Sequence, residues 1–157
     1  MVRVAGRGGR KVSVAGIAAY RSGQRPRLVY RMLVHRGRRG EPKGFGEDHL
    51  AVFLDAAHQQ LGGPIVVVWD GLPAHRSAKM RRLIAARPWL RVYQLPSYAP
   101  ELNPTENLWS SCKRAMANLT AGTIDDLVQI TRNRLKRMQY KPALADGFLA
   151  ATGLSPP

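Results

Sequence analysis

The sequence predicts an α/β fold in which helices flank a mixed β-sheet. Three observations predict it: two consecutive strand-like segments joined by a turn, one short continuous apolar run, and amphipathic helical segments after them. The length of 157 residues suits one globular domain. Since the sequence has no internal repeat and no linker-like stretch, we expect residues 1–157 to form a single domain.

The first two strands are predicted at Lys11–Tyr20 and Arg27–His35. The first segment is rich in small and β-branched residues, and the second alternates apolar with basic positions. The connection Arg21–Pro26 contains Ser, Gly and Pro, which are typical turn residues. The two strands are therefore expected to form an antiparallel hairpin.

Helices and strands alternate through the middle of the chain. Apolar residues recur at helical spacing at Leu50, Phe53, Leu54, Ala57 and Leu61. Gly62 and Gly63 then end the helix. The apolar run Pro64–Trp69 is typical of a central strand buried on both faces. A helix over Ser77–Ala86 and a strand over Leu90–Leu95 follow, an order that predicts parallel strands with a right-handed crossover.

The last third of the chain is predicted to be helical. After a Pro-rich loop at Pro96–Pro104, one helix is expected from Asn103 to Leu119. A final long helix is expected to start at Thr123. Its predicted buried residues are Leu127, Ile130, Leu135 and Met138.

The charge balance indicates a polyanionic partner. Lys and Arg number 25 and Asp and Glu number 10, which gives a net charge of +15 and a pI near 11.2. Lys and Arg that meet phosphates release condensed counterions, so such a surplus favours nucleic acid. The alternative is an Arg-rich surface that is simply solvated.

Other protein classes fit the sequence poorly. The single cysteine, Cys112, cannot form an internal disulfide, which fits a reducing compartment. Uninterrupted apolar runs such as Ile65–Trp69 are far shorter than the roughly 18 residues of a membrane helix. We therefore expect no membrane partner and a cytoplasmic location at the nucleoid.

Two carboxylates stand where metal chemistry would place them. Asp70 follows the most apolar strand, at the end where open α/β sheets bind ligands, although Asp-Gly is also a common turn pair. Glu106 lies in the stretch Asn103-Pro-Thr-Glu106, which also matches a helix capping box. Together the two carboxylates predict a Mg²⁺ site, since this ion prefers hard oxygen ligands.

The surroundings of both carboxylates resemble one known family. Asp70 lies in VVVWDGLPAHRS, Glu106 lies in LPSYAPELNPTENLWSSCKRAM, and 35 residues separate them. These stretches resemble the DDE catalytic domain of bacterial insertion-sequence transposases related to mariner elements, and the similarity runs from Val12 to Leu154. The resemblance implies an RNase H-like fold, two divalent ions (Mg²⁺ or Mn²⁺), and cleavage and joining of DNA at transposon ends. It assigns Asp70 and Glu106, rather than Glu101, to the catalytic and metal-binding carboxylates.

The chain departs from the family pattern at its beginning. The family's first catalytic Asp lies on the opening strand of the sheet, yet no acidic residue precedes Glu41 here. We therefore expect a partial domain that lacks this strand, its carboxylate and the family's N-terminal helix-turn-helix region. This strand would lie between the Lys11–Tyr20 strand and the Pro64–Trp69 strand. Its absence would leave backbone groups unpaired along the facing edges of both. A late start codon, a frameshifted element or a decayed remnant would explain it, and an upstream-frame polypeptide or a second copy could complete the domain.

A further group of residues is expected to contact DNA. These nucleic-acid-binding candidates are Arg36, Arg38, Arg39, Lys43, His75, Lys113 and Arg114. For His75 there are two interpretations: contact with phosphate or a metal-bound water, or an exposed residue at a helix start. Cys112 is predicted to be a core residue rather than a nucleophile.

Two functions remain open on the sequence alone. The first is a transposase catalytic domain that is active only when upstream residues or a partner chain complete it. The second is a non-catalytic basic DNA-binding fragment, either a remnant or a competitor of a full-length transposase. An RNA-binding protein is a distant third, because both motif stretches would then be coincidental.

Overall fold

The chain divides into two compact units of α/β structure. The computed structural model describes residues 1–5, 9–96, 100–117 and 123–154. The first unit is made of Met1–Gly44 and Pro104–Pro157, and the second is the continuous segment Phe45–Asn103. The α/β class expected from the sequence is confirmed.

An antiparallel sheet forms the base of the first unit. Its strands are β1 (Val2–Ala5), β2 (Lys11–Ala19) and β3 (Arg27–His35), in the order β1-β2-β3. The strands β2 and β3 pair over nine residues each, from Lys11 opposite His35 to Ala19 opposite Arg27. This register confirms the predicted hairpin.

The strand β1 was not predicted from the sequence. It pairs antiparallel with β2, and its register runs from Val2 opposite Val14 to Ala5 opposite Lys11. Without the family's first strand, the backbone groups along this edge of β2 were expected to have no partner strand. That expectation is wrong over residues 11–14. Four residues span too few periods for strand alternation to be recognised.

Three helices complete the first unit: α4 (Pro104–Ala117), α5 (Ile124–Gln139) and α6 (Pro142–Ala150). The helices α4 and α5 pack on β2, and α5 and α6 pack on β3. The core they share with the sheet contains Val12, Val14, Leu28, Leu108, Trp109, Cys112, Ile124, Leu127, Leu135 and Met138. Of the residues predicted to be buried on α5, Ile130 alone is partly exposed, and it still packs against this core.

Local capping explains where α5 begins. The Thr123 hydroxyl accepts a hydrogen bond from the Asp126 N–H at 3.1 Å, and the Asp126 carboxylate accepts one from the Thr123 N–H at 2.9 Å. This reciprocal pair is a capping box. The predicted start at Thr123 is confirmed. The helix α6 was not predicted, and the Tyr20 hydroxyl donates to the carbonyl of its Ala145 at 2.8 Å.

The second unit is a strand–helix–strand unit preceded by a long helix. Its elements are α1 (Glu47–Leu61), β4 (Ile65–Trp69), α2 (Pro73–Arg76), α3 (Ala78–Ala85) and β5 (Leu90–Gln94). The strands β4 and β5 are parallel, as the sequence predicted. Helix α1 ends at Gly62, whose φ of 67° is the left-handed conformation that glycine adopts at little cost.

The expectation that β4 is buried on both faces is wrong. Ile65, Val67 and Trp69 are buried, whereas Val66 is 64% exposed and Val68 is 56% exposed. Side chains alternate between the two faces of a strand, so an apolar run needs cover on both sides to be fully buried. Composition alone does not reveal whether other elements pack against the second face of the strand.

Parts of the predicted elements fall outside the described residues. These are positions 97–99 of the predicted Pro-rich loop and positions 118 and 119 of the predicted Asn103–Leu119 helix. Within the part of the chain that the structure describes, no helix is both long and apolar enough to cross a membrane.

Candidate active site

Asp70 directly follows β4, at the carboxyl end of the parallel strand pair. Its Oδ1 accepts a hydrogen bond from the Leu72 N–H at 3.4 Å and lies 2.8 Å from Nδ1 of His75. The Asp70 side chain is 35% exposed. One carboxylate oxygen is thus held by protein donors while the group stays open to solvent.

His75 is buried against the residue that precedes Asp70. Its ring stacks on Trp69, with centroids 4.1 Å apart and planes inclined by 6°, and the side chain is 7% exposed. Its Nδ1 also lies 2.9 Å from the main-chain oxygen of Asp70. Because Nδ1 faces two acceptor oxygens, it carries the ring proton. The interpretation of His75 as an exposed residue is wrong, and its contact with nucleic acid stays a prediction.

The turn after Asp70 explains how His75 reaches it. Pro73 occupies the first turn of α2, where its missing N–H costs nothing, and the His75 N–H donates to the Leu72 carbonyl at 2.8 Å. Ser77 then ends α2 and caps α3, since its hydroxyl accepts from the Met80 N–H at 3.0 Å. This one-turn helix brings the imidazole back over the end of β4.

Glu106 lies in the first turn of α4 and is half-buried, whereas Glu101, in the preceding 3₁₀ turn at Pro100–Leu102, is exposed. The buried residues Leu108, Trp109 and Cys112 fix α4 in the core of the first unit. Cys112 is 2% exposed, and burial raises the pKa of its thiol to about 11. The prediction that Cys112 is a core residue is confirmed.

The structure brings two of the predicted site residues into contact within one unit. Asp70 and His75 are in direct contact within the second unit. Glu106, Lys113 and Arg114 belong to the first unit, on α4, and the latter two are exposed. The assignment of these residues to catalysis, metal binding and DNA contact remains a prediction.

The basic loop after β3 is organised by two carboxylates. Glu41 accepts hydrogen bonds from the N–H groups of Arg38 at 3.0 Å and Arg36 at 2.7 Å, which lowers its pKa. Asp125 binds the Arg36 guanidinium through both oxygens, at 2.6 and 3.0 Å, which raises the pKa of Arg36 and lowers that of Asp125. Of the four loop candidates, Arg36 is thus ion-paired, whereas Arg38, Arg39 and Lys43 are exposed.

The donor chemistry of Asp70 and Glu106 fits a hard divalent cation. Both supply carboxylate oxygens, and Mg²⁺ is commonly bound by one or two carboxylates together with substrate phosphates. No cluster of three or more His, Cys, Asp and Glu residues that could hold a metal occurs among the residues described.

The sequence matches the family described as "DDE superfamily endonuclease" over residues 40–128, more than half of the chain. The chain belongs to the DDE superfamily endonucleases. The matched region contains both Asp70 and Glu106. No match to a curated protein was found.

Two solved structures of catalytic domains share the fold of this chain. One is described as the Mos1 transposase catalytic domain with Raltegravir and Mn; it is 14% identical, with 91% of this chain and 84% of that one covered and a TM-score of 0.52. Another is the catalytic domain of Mos1 mariner transposase, 14% identical, with coverages of 92% and 82% and a TM-score of 0.51. The RNase H-like fold implied by the sequence is confirmed.

Sequence reasoning missed the part that Trp69 plays at this site. In the sequence Trp69 is the last residue of an apolar strand, and in the structure its ring forms the surface on which His75 lies. The spacing of an aromatic residue, an Asp and a His across one Pro-containing turn could have indicated this contact.

Proposed function

We propose that this chain is the catalytic domain of a mariner-related transposase that cleaves and joins DNA at the ends of a bacterial insertion sequence. Asp70 is the second catalytic carboxylate and Glu106 is the third. The observation that carries the proposal is the Asp70 carboxylate, held at Oδ1 and partly exposed at the end of β4 in a member of the DDE superfamily.

Each proposed role follows from the chemistry of the residue. Asp70 and Glu106 supply oxygen ligands for Mg²⁺ or Mn²⁺. When bound, these ions stabilise the charge that develops during an in-line phosphoryl displacement. Arg38, Arg39 and Lys43, with Lys113 and Arg114 on α4, hold the DNA backbone through its phosphates.

These 157 residues by themselves are expected to cleave DNA poorly. The family's first carboxylate has no counterpart before Glu41, so two of three carboxylates are present. We propose that a further polypeptide segment or a second copy supplies the missing ligand. Translation of the DNA upstream of Met1 in all three frames tests the first of these sources, since a further segment should appear there as an Asp-bearing strand and a helix-turn-helix region.

Metal binding tests the assignment of the carboxylates directly. Mn²⁺ is titrated into the full chain while the relaxation of water protons is followed. Asp70→Ala should abolish the enhancement and Glu106→Gln should weaken it, because each change removes an oxygen ligand. Glu101→Gln is the matched control, since Glu101 is an exposed acid five residues before Glu106. Unchanged Mn²⁺ binding in Asp70→Ala would refute the proposed site.

A second candidate function is a non-catalytic DNA-binding fragment that competes with a complete transposase. The net charge of +15 favours it, because charge alone supports binding without cleavage. Both functions predict salt-sensitive binding to duplex DNA, but only the first predicts Mn²⁺ binding that depends on Asp70. Robust metal-dependent nicking by the isolated chain, lost in Asp70→Ala, would contradict the expected low activity.

A further inference from the structure

The buried contact between His75 and Asp70 is more than a packing contact. The Nδ1–H group meets two oxygens of the same residue, Oδ1 at 2.8 Å and the main-chain oxygen at 2.9 Å. A donor shared in this way ties the side chain of Asp70 to its own backbone. It therefore restricts rotation about the bonds that carry the carboxylate.

The two oxygens of the carboxylate are not equivalent. Oδ1 is contacted by His75 Nδ1 and by the Leu72 N–H, whereas no donor among the described residues contacts Oδ2. A carboxylate that is fixed through one oxygen presents the other in a defined position. Such hydrogen bonds to metal-ligating groups orient the ligand and strengthen metal binding.

The imidazole is itself held in place by Trp69. The two rings stack at a centroid distance of 4.1 Å. The Trp69 side chain is 9% exposed, and its indole N–H has no hydrogen-bond partner in the part of the chain described. Packing contacts therefore hold the indole in place, and the His75 ring covers one of its faces. Trp69, Asp70 and His75 thus form one unit at the end of β4.

We propose that His75 is a positioning residue that orients Asp70 for divalent metal binding through its Nδ1–H group. This inference rests on the proposed function, since it requires Asp70 to be a metal ligand. The role requires the hydrogen-bond donor at Nδ1 and not the aromatic ring, whereas a purely structural role requires the ring.

Two substitutions separate the donor from the ring. His75→Phe retains an aromatic ring against Trp69 and removes the donor. His75→Asn removes the ring and retains an N–H donor, because the Asn amide nitrogen is attached to Cγ as Nδ1 is. Mn²⁺ affinity from water proton relaxation and thermal unfolding are measured for both variants and for Asp70→Ala.

His75→Phe should weaken Mn²⁺ binding on the order of 10-fold or more with little change in Tm. His75→Asn should lower Tm while reducing the Mn²⁺ affinity by clearly less than the roughly 10-fold expected for His75→Phe. Wild-type affinity in His75→Phe, or an equal loss of affinity in His75→Asn, would overturn the positioning role. If Asp70→Ala binds Mn²⁺ normally, the metal site itself is wrong, a failure distinct from that of His75 alone.

Discussion

Gly16 on β2 gives the Trp109 ring of α4 the space it occupies. A Cβ at position 16 would lie 2.6 Å from Cη2 of Trp109, closer than non-bonded carbon atoms approach, and Trp109 is 1% exposed. Trp109 lies three residues after Glu106 on the same helix, so the two side chains project from neighbouring parts of its surface. The contact with Gly16 therefore helps to set where α4, and Glu106 with it, lies on the sheet.

Gly16→Ala should destabilise the first unit by about 1–3 kcal/mol, because the added methyl group would overlap the buried Trp109 ring. Urea unfolding measures the change. The control is Gly147→Ala within α6, where a Cβ meets nothing within 4 Å. That change should instead stabilise the chain by about 0.5–1 kcal/mol, since Ala is the better helix former. Equal effects of the two substitutions would contradict the proposed steric contact.

The loop after β3 should contribute to DNA binding through Arg38 and Arg39. Replacing both with Ala is expected to weaken binding to all duplex sequences and to reduce the salt slope by about 2, since each phosphate contact contributes about 1. Asp125→Asn should strengthen DNA binding and increase the salt slope, because it frees the Arg36 guanidinium and raises the net charge. Fluorescence anisotropy at several salt concentrations measures both. An unchanged slope in the double variant would remove this loop from the interface.

Asp55 and Arg87 should make the second unit more stable at neutral than at acid pH. Two hydrogen bonds of 2.7 Å join them, and Arg87 holds the pKa of Asp55 below its ordinary value of 3.8. A carboxyl whose pKa is lower in the folded chain stabilises it above the unfolded pKa, and this contribution is lost as the pH falls through the folded pKa. The Asp55 side chain is 42% exposed, so solvent screening limits the contribution to about 0.5–1 kcal/mol.

Urea unfolding of the original chain and Asp55→Asn, at neutral pH and again well below pH 3.8, tests this pair. The difference between the two should shrink as the pH falls. Arg87→Lys is a second variant for comparison, because lysine keeps the positive charge but cannot bind the carboxylate at two points. Its free energy of unfolding at neutral pH should lie between those of the original chain and Asp55→Asn. A difference between the original chain and Asp55→Asn that does not depend on pH would argue against the ion pair.

Cys112 should be unreactive until the chain unfolds. Burial raises the pKa of its thiol to about 11, and its Sγ lies 3.4 Å from Sδ of Met138. Thiolate is the reactive form, so both its scarcity near neutral pH and its inaccessibility slow the reaction. As the chain has one cysteine, a chromogenic disulfide reagent reports on this site alone. Rapid labelling in native buffer, as fast as in concentrated guanidinium, would show that Cys112 is accessible.

Sequence patterns predicted the elements that carry their own local signals. The helix α1 ends at Gly62 as predicted, and α5 begins after the Thr123 cap as predicted. The strand β1 and the one-turn helix α2 were missed, since four residues are too few for a periodic pattern. The exposure of Val66 and Val68 depends on what packs against β4, which composition does not encode.

The sequence predicted the candidate residues but not their contacts. Asp70 and Glu106 were proposed from two motifs that resemble those of the family, and their roles in catalysis and metal binding stay a prediction. The burial of His75 follows from the stacking of its ring on Trp69, six positions earlier, and this contact depends on the path of the turn at Pro73. Such a path is set by backbone geometry rather than by residue type alone.

The division of the chain into two units has a consequence for its synthesis on the ribosome. The second unit is one continuous segment, so all its strands and helices are available once Asn103 has emerged. The core of the first unit joins Val12 and Leu28 to Leu135 and Met138, which are made more than a hundred residues later. The hairpin β2–β3 therefore cannot complete its core until α5 has been synthesised. The segment that carries Asp70 can fold before the one that carries Glu106.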